Sequence, residues 1–279
     1  MNNEKRRFSV LLSVYYKENP LYLRESLNSI FNQTLLPTEV ILVEDGPLND
    51  ELYAVIKEFT DVQHSLKILP LDRNVGLGLA LRKGMEKCQY EYIARMDSDD
   101  ICFPDRFEKQ MKYLEENPRI DVLGCWTQEF ITDGDGRKIM LALKKFPSNP
   151  WDNFKYCTKR CPVEHPAVIF KKSAVLAVGG YQHCLLFEDY HLWARMFVNG
   201  AIFQNLQEPL LYFRTSIDAI KRRGGWKYAI NELHALKEFH EIGFLNKMQL
   251  IYSIIVRFPV RIMPTSVRKI IYIFLRNKN

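Results

Sequence analysis

Over its first hundred residues the chain alternates between two hydrophobic periods. "FSVLLSVYY", "TEVILVED", "LKILPL" and "YIARMD" are short apolar runs that read as buried strands. "PLYLRESLNSIFNQ", "NDELYAVIKEF" and "GLGLALRKGMEKC" carry apolar residues every three or four positions and predict amphipathic helices. Such alternation implies a parallel sheet with right-handed crossovers and helices on both faces. Beyond about residue 119 the style changes. "IDVLGCWTQEFI" and "KIMLALKKF" flank "TDGDGR", whose Asp-Gly pairs mark a hairpin turn. "HPAVIF" predicts a strand, "KKSAVLAVGGY" a short helix, "LLFEDYHLWARMFVNG" a helix starting near Glu188 and Asp189, and "LQEPLLYFR" a last strand. "KRRGGWKY" then reads as a basic glycine hinge before C-terminal helices.

Composition changes this picture in one place. The 279 residues are 47% hydrophobic and 26% charged, enough for one large or two modest domains, with a formal charge of +6. Residues 247–279 hold seven of the 39 basic residues and none of the 33 acidic ones, so the body is nearly neutral. Apolar clusters in that tail are broken by Arg257, Arg261, Arg268, Lys269 and Arg276 well short of a membrane span. Two readings follow: a segment lying on an anionic membrane surface, or a helix docked on the body with its basic side in water. The body lacks a basic stripe interleaved with aromatics, which argues against nucleic acid. No signal peptide is read in "MNNEKRRFSVLL", and six scattered cysteines favour free thiols over disulfides or zinc.

Parallel sheets bind ligands outside the carboxyl ends of their strands. Those ends bring Tyr15, Tyr16 and Glu18, then Glu44, Asp45 and Gly46, then Asp72, Arg73 and Asn74, then Asp97, Ser98 and Asp99 to one rim. Three carboxylates within four residues repel one another unless something offsets them. One offset is capping, with Asp99 or Asp100 opening the helix of "PDRFEKQMKYLEE". The other is a divalent cation, with Asp97 and Asp99 two residues apart on the same side and Asp100 turned away to cap. A Rossmann dinucleotide site is excluded because "YYKENP" has no glycine-rich turn after the first strand.

Residues 8 to 215 resemble the inverting, metal-dependent glycosyltransferases of family two. The resemblance rests on "LLSVYYKE", "VILVEDG", "RNVGLGLALRKG", "RMDSDD" and "FEDYHLWARM", in the family's order. It implies an α/β GT-A fold, a Rossmann-like nucleotide-diphospho-sugar transferase with a mixed, mainly parallel sheet and C-terminal helices. It divides the chain into a catalytic domain, 1–223, with a nucleotide-binding half to about 118 and an acceptor half after it, and a basic segment, 224–279.

For the site, the resemblance implies that Ser13, Tyr15, Glu18, Asp45, Arg73, Asn74, Asp97, Ser98 and Asp99 meet the donor. Asp97 and Asp99 would hold Mg2+ or Mn2+, Asp189 would be the base, and Glu188 and His165 would face the acceptor. At a helix N-terminus, Asp189 is expected to be ionised. Arg214 and the "KRRGG" loop are expected either as a lid over the phosphates or as a linker to the tail. Thr215 and Ser216 stand where many relatives have a histidine, so no metal ligand is expected there. The polysaccharide synthases' Gln-x-x-Arg-Trp motif is absent, which favours one sugar per encounter.

The implied activity is transfer of a sugar from a nucleotide donor to a lipid-linked saccharide, by a cytoplasmic enzyme lying on the inner face of the membrane, in surface-polysaccharide synthesis. Two alternatives stand beside it. A sugar-1-phosphate nucleotidyltransferase would need a glycine-rich N-terminal loop that "LLSVYYKENP" lacks, and a non-catalytic scaffold would be free to lose the acids present here.

Overall fold

The structure is a computed structural model that describes residues 6–216 and 223–268. It begins with β1 (Phe8–Val14), α1 (Pro20–Phe31), β2 (Glu39–Glu44), α2 (Asp50–Thr60), β3 (Leu66–Pro70), α3 (Leu77–Lys87) and β4 (Tyr92–Arg95). All pairings among these strands are parallel, in the spatial order β3-β2-β1-β4. The chain reverses direction across the sheet at β1, so a crevice opens beyond the ends of β1 and β4. Alternation along the strands sorts their residues to two faces. Val10, Leu12, Val40 and Leu42 join Leu23, Leu27, Leu52 and Val55 of α1 and α2 in one core, whereas Leu11, Ile41 and Val43 meet Ala80, Leu81 and Met85 of α3 in another.

The second half is β5 (Ile101–Cys102), α4 (Arg106–Glu116), β6 (Val122–Thr132), β7 (Lys138–Lys144), α5 (Pro150–Cys157), β8 (Ile169–Lys171), α6 (Lys172–Ala177), α7 (Glu188–Val198) and β9 (Phe203–Arg214). β8 runs antiparallel to both β4 and β6 and so joins the halves into one mixed sheet. β9 lies parallel to β6 and antiparallel to β5, and β6 and β7 form the expected hairpin. The expected strand "HPAVIF" is shorter: His165–Ala167 is a 3-10 turn, and pairing starts at Ile169.

Two helices follow, α8 (Trp226–Glu241) and α9 (Lys247–Ile262). Ala235, Leu236, Phe239, Phe244 and Leu245 share a core with Cys157, Phe187 and Tyr190, so the C-terminal segment is packed against α5 and α7. Neither tail reading describes α9 as it stands. Arg257 and Arg261 turn inward to the buried Glu232 of α8, while Met248, Tyr252 and Ile255 are more than half exposed. A buried carboxylate draws the arginines because leaving it unpaired is the more costly arrangement. Of the tail's other basic residues, Arg268 is buried, and Lys269 and Arg276 lie outside the described residues. No helix among the described residues is long and apolar enough to cross a membrane. All six cysteines are free thiols.

Candidate functional site

The acidic turn Asp97–Asp100 sits at the β4 end of the crevice, and its backbone is tied from both sides. Ser26 of α1 donates its hydroxyl to the Asp97 carbonyl at 2.9 Å. Arg214, at the end of β9, donates its Nε to the Asp99 carbonyl and its backbone N–H to the Asp100 Oδ1, both at 2.7 Å. Its guanidinium also bonds Thr132 and Glu25 and lies 3.8 Å over the Tyr22 ring. Arg214 is therefore a buried anchor of the turn, and the expectation of a lid is corrected for it. Lys221 and Arg222 of the proposed lid lie outside the described residues.

The capping expectation fails as well. β5 intervenes between Asp100 and α4, whose N-cap is Asp105 without a side-chain cap bond. Asp100 instead joins the cluster: oxygens of Asp97, Asp99 and Asp100 lie within 4.8 Å of one another. The Asp100 Oδ2 is buried without a hydrogen-bond partner among the described residues. Burial, and then the charges of Asp97 and Glu18, push Asp99 up to about 7. Burial, Asp99 and Asp97 push Asp100 well up. An all-oxygen, anionic cluster with one orphaned oxygen fits a hard divalent cation such as Mg2+ or Mn2+.

Beneath the turn lies a residue that the sequence reading passed over. Arg95 is 1% exposed, and its Nη2 is 2.6 Å from the Asp97 Oδ1, while its Nε and Nη1 have no partner among the described residues. Its field also reaches His165, Glu188 and Asp189, partly opposing the rise that burial gives both carboxyls and opposing protonation of His165. The signal was present: residues 95 and 97 are two apart on an extended segment, so their side chains share a face.

Glu188 and Asp189 open α7, as expected, but the helix N-terminus does not dominate their ionisation. Burial raises Asp189, outweighing the Tyr190 N–H, at 2.7 Å from its Oδ1, and Arg95. Burial thus works against the preference for the ionised form that the helix N-terminus was expected to give Asp189. Burial and the Asp189 charge raise Glu188 to about 7. The first turn of α3 approaches this pair, since a Cβ on Gly78 would stand 3.0 Å from the Glu188 Cβ. His165 is buried with its Nε2 2.8 Å from the Tyr181 hydroxyl, and burial pushes it well below the usual histidine range, so it is neutral.

The remaining rim residues divide into exposed and engaged. Tyr15, Arg73 and Asn74 are exposed, and Ser13 is half-buried on β1. Glu18 accepts the Ser98 hydroxyl at 2.6 Å, which bridges the loops after β1 and β4. Asp45 is 4% exposed, and its two oxygens accept the N–H groups of Val75 and Gly76 at 2.7 and 3.1 Å. It does not cap α2, which Asn49 does. Asp45 thus holds the Asn74 loop against β2, with Gly46 at φ 87° because a Cβ there would lie 2.5 Å from the Asn74 nitrogen.

Comparison with known proteins agrees with this arrangement. The model of the family described as "Glycosyl transferase family 2" matches residues 9–175. The UDP-Gal:alpha-D-GlcNAc-diphosphoundecaprenol beta-1,3-galactosyltransferase of Escherichia coli is 39% identical over 98% of this chain and 97% of its own length. The amylovoran biosynthesis glycosyltransferase AmsE of Erwinia amylovora is also 39% identical, over 95% of this chain and 97% of its own. Among solved structures, Staphylococcus aureus TarS 1-349 in complex with UDP-GlcNAc superposes with a TM-score of 0.66 at 18% identity, over 91% of this chain and 72% of that one. The mannosyltransferase PcManGT of Pyrobaculum calidifontis, in complex with GDP-Man and Mn2+, gives 0.62 at 16%, over 94% and 73%. These likenesses confirm the expected GT-A-like fold.

Proposed function

The chain belongs to glycosyl transferase family 2, and on that premise we propose that it transfers a single hexosyl unit, with inversion, from a nucleotide-sugar donor to a lipid-linked saccharide during surface-polysaccharide synthesis. The observation that carries the reading is the meeting of two acid sets across Arg95, the Asp97–Asp99–Asp100 oxygens on one side and Glu188 with Asp189 on the other. The nature of the acceptor is suggested by the Escherichia coli relative, whose printed substrate is a diphosphoundecaprenol-linked sugar. A role in polysaccharide synthesis is suggested also by the amylovoran enzyme.

In this reading Tyr15 stacks on the nucleobase, and Ser13, Glu18, Arg73, Asn74 and Ser98 shape the donor pocket with Asp45 supporting the loop. Asp97 and Asp99 hold Mg2+ or Mn2+, with Asp100 beside them. When bound, the cation would neutralise charge developing on the departing nucleoside diphosphate. Asp189 takes the proton of the attacking acceptor hydroxyl. Its raised affinity for a proton suits a base, because a base whose pKa lies nearer the working pH transfers protons more effectively. Glu188 and the neutral His165 flank the acceptor. The sequence boundary near 223 then separates catalysis from attachment, with residues 247–279 resting on the anionic inner face of the cell membrane through the exposed apolar side of α9.

The experiment is calorimetric titration with UDP, GDP, CMP and dTDP, with Mn2+ and with excess chelator, paired with transfer assays of Asp189→Asn. One nucleotide is expected to bind only with metal. The variant is expected to bind it normally while transfer falls roughly 100- to 10,000-fold. Unchanged transfer removes Asp189 as the base, and absence of nucleotide binding returns the scaffold alternative. For the tail, flotation with anionic vesicles is expected to carry the protein and to lose it on Ile255→Glu. Equal flotation of both removes α9 from the membrane reading.

A further inference from the structure

Away from the rim, a second cluster of ligand-type side chains joins the C-terminal helices to α7. Cys184 lies in the loop before α7, His191 one turn into it, and Glu238 on α8, and the three place a sulfur, a ring nitrogen and a carboxylate oxygen within 4.8 Å of one another. Cys184 is 8% exposed and His191 5%, while Glu238 keeps one side toward solvent. The His191 Nε2 is 3.4 Å from the Glu238 Oε2. Two ligands bound tetrahedrally at about 2.0–2.1 Å stand about 3.3–3.4 Å apart, so this pair already has the spacing that one ion between them requires.

The groups are also poorly satisfied as they stand. The His191 Nδ1 is buried with no hydrogen-bond partner among the described residues, and the Glu238 carboxylate, bonded to the Cys184 thiol, keeps a buried Oε2 that no well-aligned donor among them meets. The nearby cation, Arg195, bonds the carbonyls of Val178 and Gly180 through its guanidinium rather than any atom of the cluster.

We propose that Cys184, His191 and Glu238 form a transition-metal site, of which Zn2+ is the natural occupant, with water in the fourth position on the exposed side of Glu238. Sulfur, imidazole and carboxylate together select zinc, whereas the all-oxygen cluster of the rim selects a hard cation. Binding displaces the Cys184 thiol proton to solvent, and the thiolate bonds the ion. Such an ion fastens α8 to α7 three residues from Glu188 and two from Asp189, so it is a structural clasp behind the acid pair. The proposal does not depend on the sugar-transfer reading.

The test uses the full chain, purified without chelator. Elemental analysis is expected to give one zinc per chain, and titration of the metal-free protein with Co2+ a thiolate-to-cobalt charge-transfer band that an all-oxygen site cannot produce. Asp97→Asn/Asp99→Asn is expected to retain both signals. Cys184→Ser is expected to abolish the band, and Glu238→Gln, a partly exposed change that leaves the core intact, to weaken zinc at least about 10-fold. Zinc is also expected to raise the melting temperature of the wild type more than that of Glu238→Gln. No sulfur band and no zinc in folded wild-type protein overturns the proposal. Zinc affinity unchanged in Glu238→Gln overturns it equally, and zinc that disappears in the Asp97/Asp99 variant, with no sulfur band in the wild type, assigns the metal to the rim instead.

Discussion

Glu39 and Glu44 begin and end the same strand, both almost fully buried, yet they titrate in opposite directions. At the start of β2, burial works against the Glu39 carboxylate and is outweighed by the Gln89 N–H, the Lys67 ammonium and the Ser9 hydroxyl, at 2.6 to 2.7 Å, so its pKa is lowered. At the other end, burial alone raises Glu44, and along the same rim Asp99, Asp100, Glu188 and Asp189 are all raised. Burial is common to both ends; supply of donors is not. The bottom of the sheet is finished as protein. The top gathers more carboxylates than its two buried arginines, Arg95 and Arg214, offset, which is the condition expected where a ligand brings positive charge of its own.

That contrast can be broken most directly at Asp99. Asp99→Asn is expected to weaken metal-dependent nucleotide binding at least about 100-fold, or about 2.7 kcal/mol, in calorimetry. Stability without metal should be unchanged or higher, since a repelling charge is gone. A loss of both would make the rim as structural as the base of the sheet. Glu39→Gln is expected to do the reverse, lowering unfolding free energy in denaturant by about 1–3 kcal/mol with nucleotide binding intact.

The smallest effect is the pH dependence, and its sign differs between the two ends. Because Glu39 is lowered, its stabilisation is present above the unfolded value of 4.5 and disappears as pH falls through its folded value, so Glu39→Gln and wild type should converge in acid. Glu188 is raised to about 7, so ionising it in the folded protein opposes folding as pH climbs from 4.5 to about 7. Glu188→Gln should flatten that decline in denaturant melts made with chelator. A steeper decline would mean that the raised carboxyl is stabilised by something other than its proton.

The ends of the strands were legible because parallel alternation alone sends Asp45, Asp97 and Tyr15 to one side of the sheet. What those side chains do there was less legible. Asp45 looks available in sequence, but its oxygens are taken by Val75 and Gly76, thirty residues on, which the β2–β3 pairing delivers to it. Asp100 reads as a cap until β5 is seen to separate it from α4. Arg95 hides in an apolar run. The inward turn of Arg257 and Arg261 depends on Glu232, the buried one of three acids on the preceding helix, and hydrophobic periodicity does not report which of them faces inward. Local period predicts elements; partners brought by tertiary pairing decide which polar groups remain open.

The ties on the acidic turn have an order in time. Ser26 is made before Asp97, whereas Arg214, which bonds Asp99 and Asp100 and reaches back to Glu25, comes 189 residues after that glutamate. A chain emerging from the ribosome therefore displays every acid of the turn long before the strand that holds it arrives, and such distant pairings form late. A truncated product ending ahead of β9 would carry the motif intact and lack the turn.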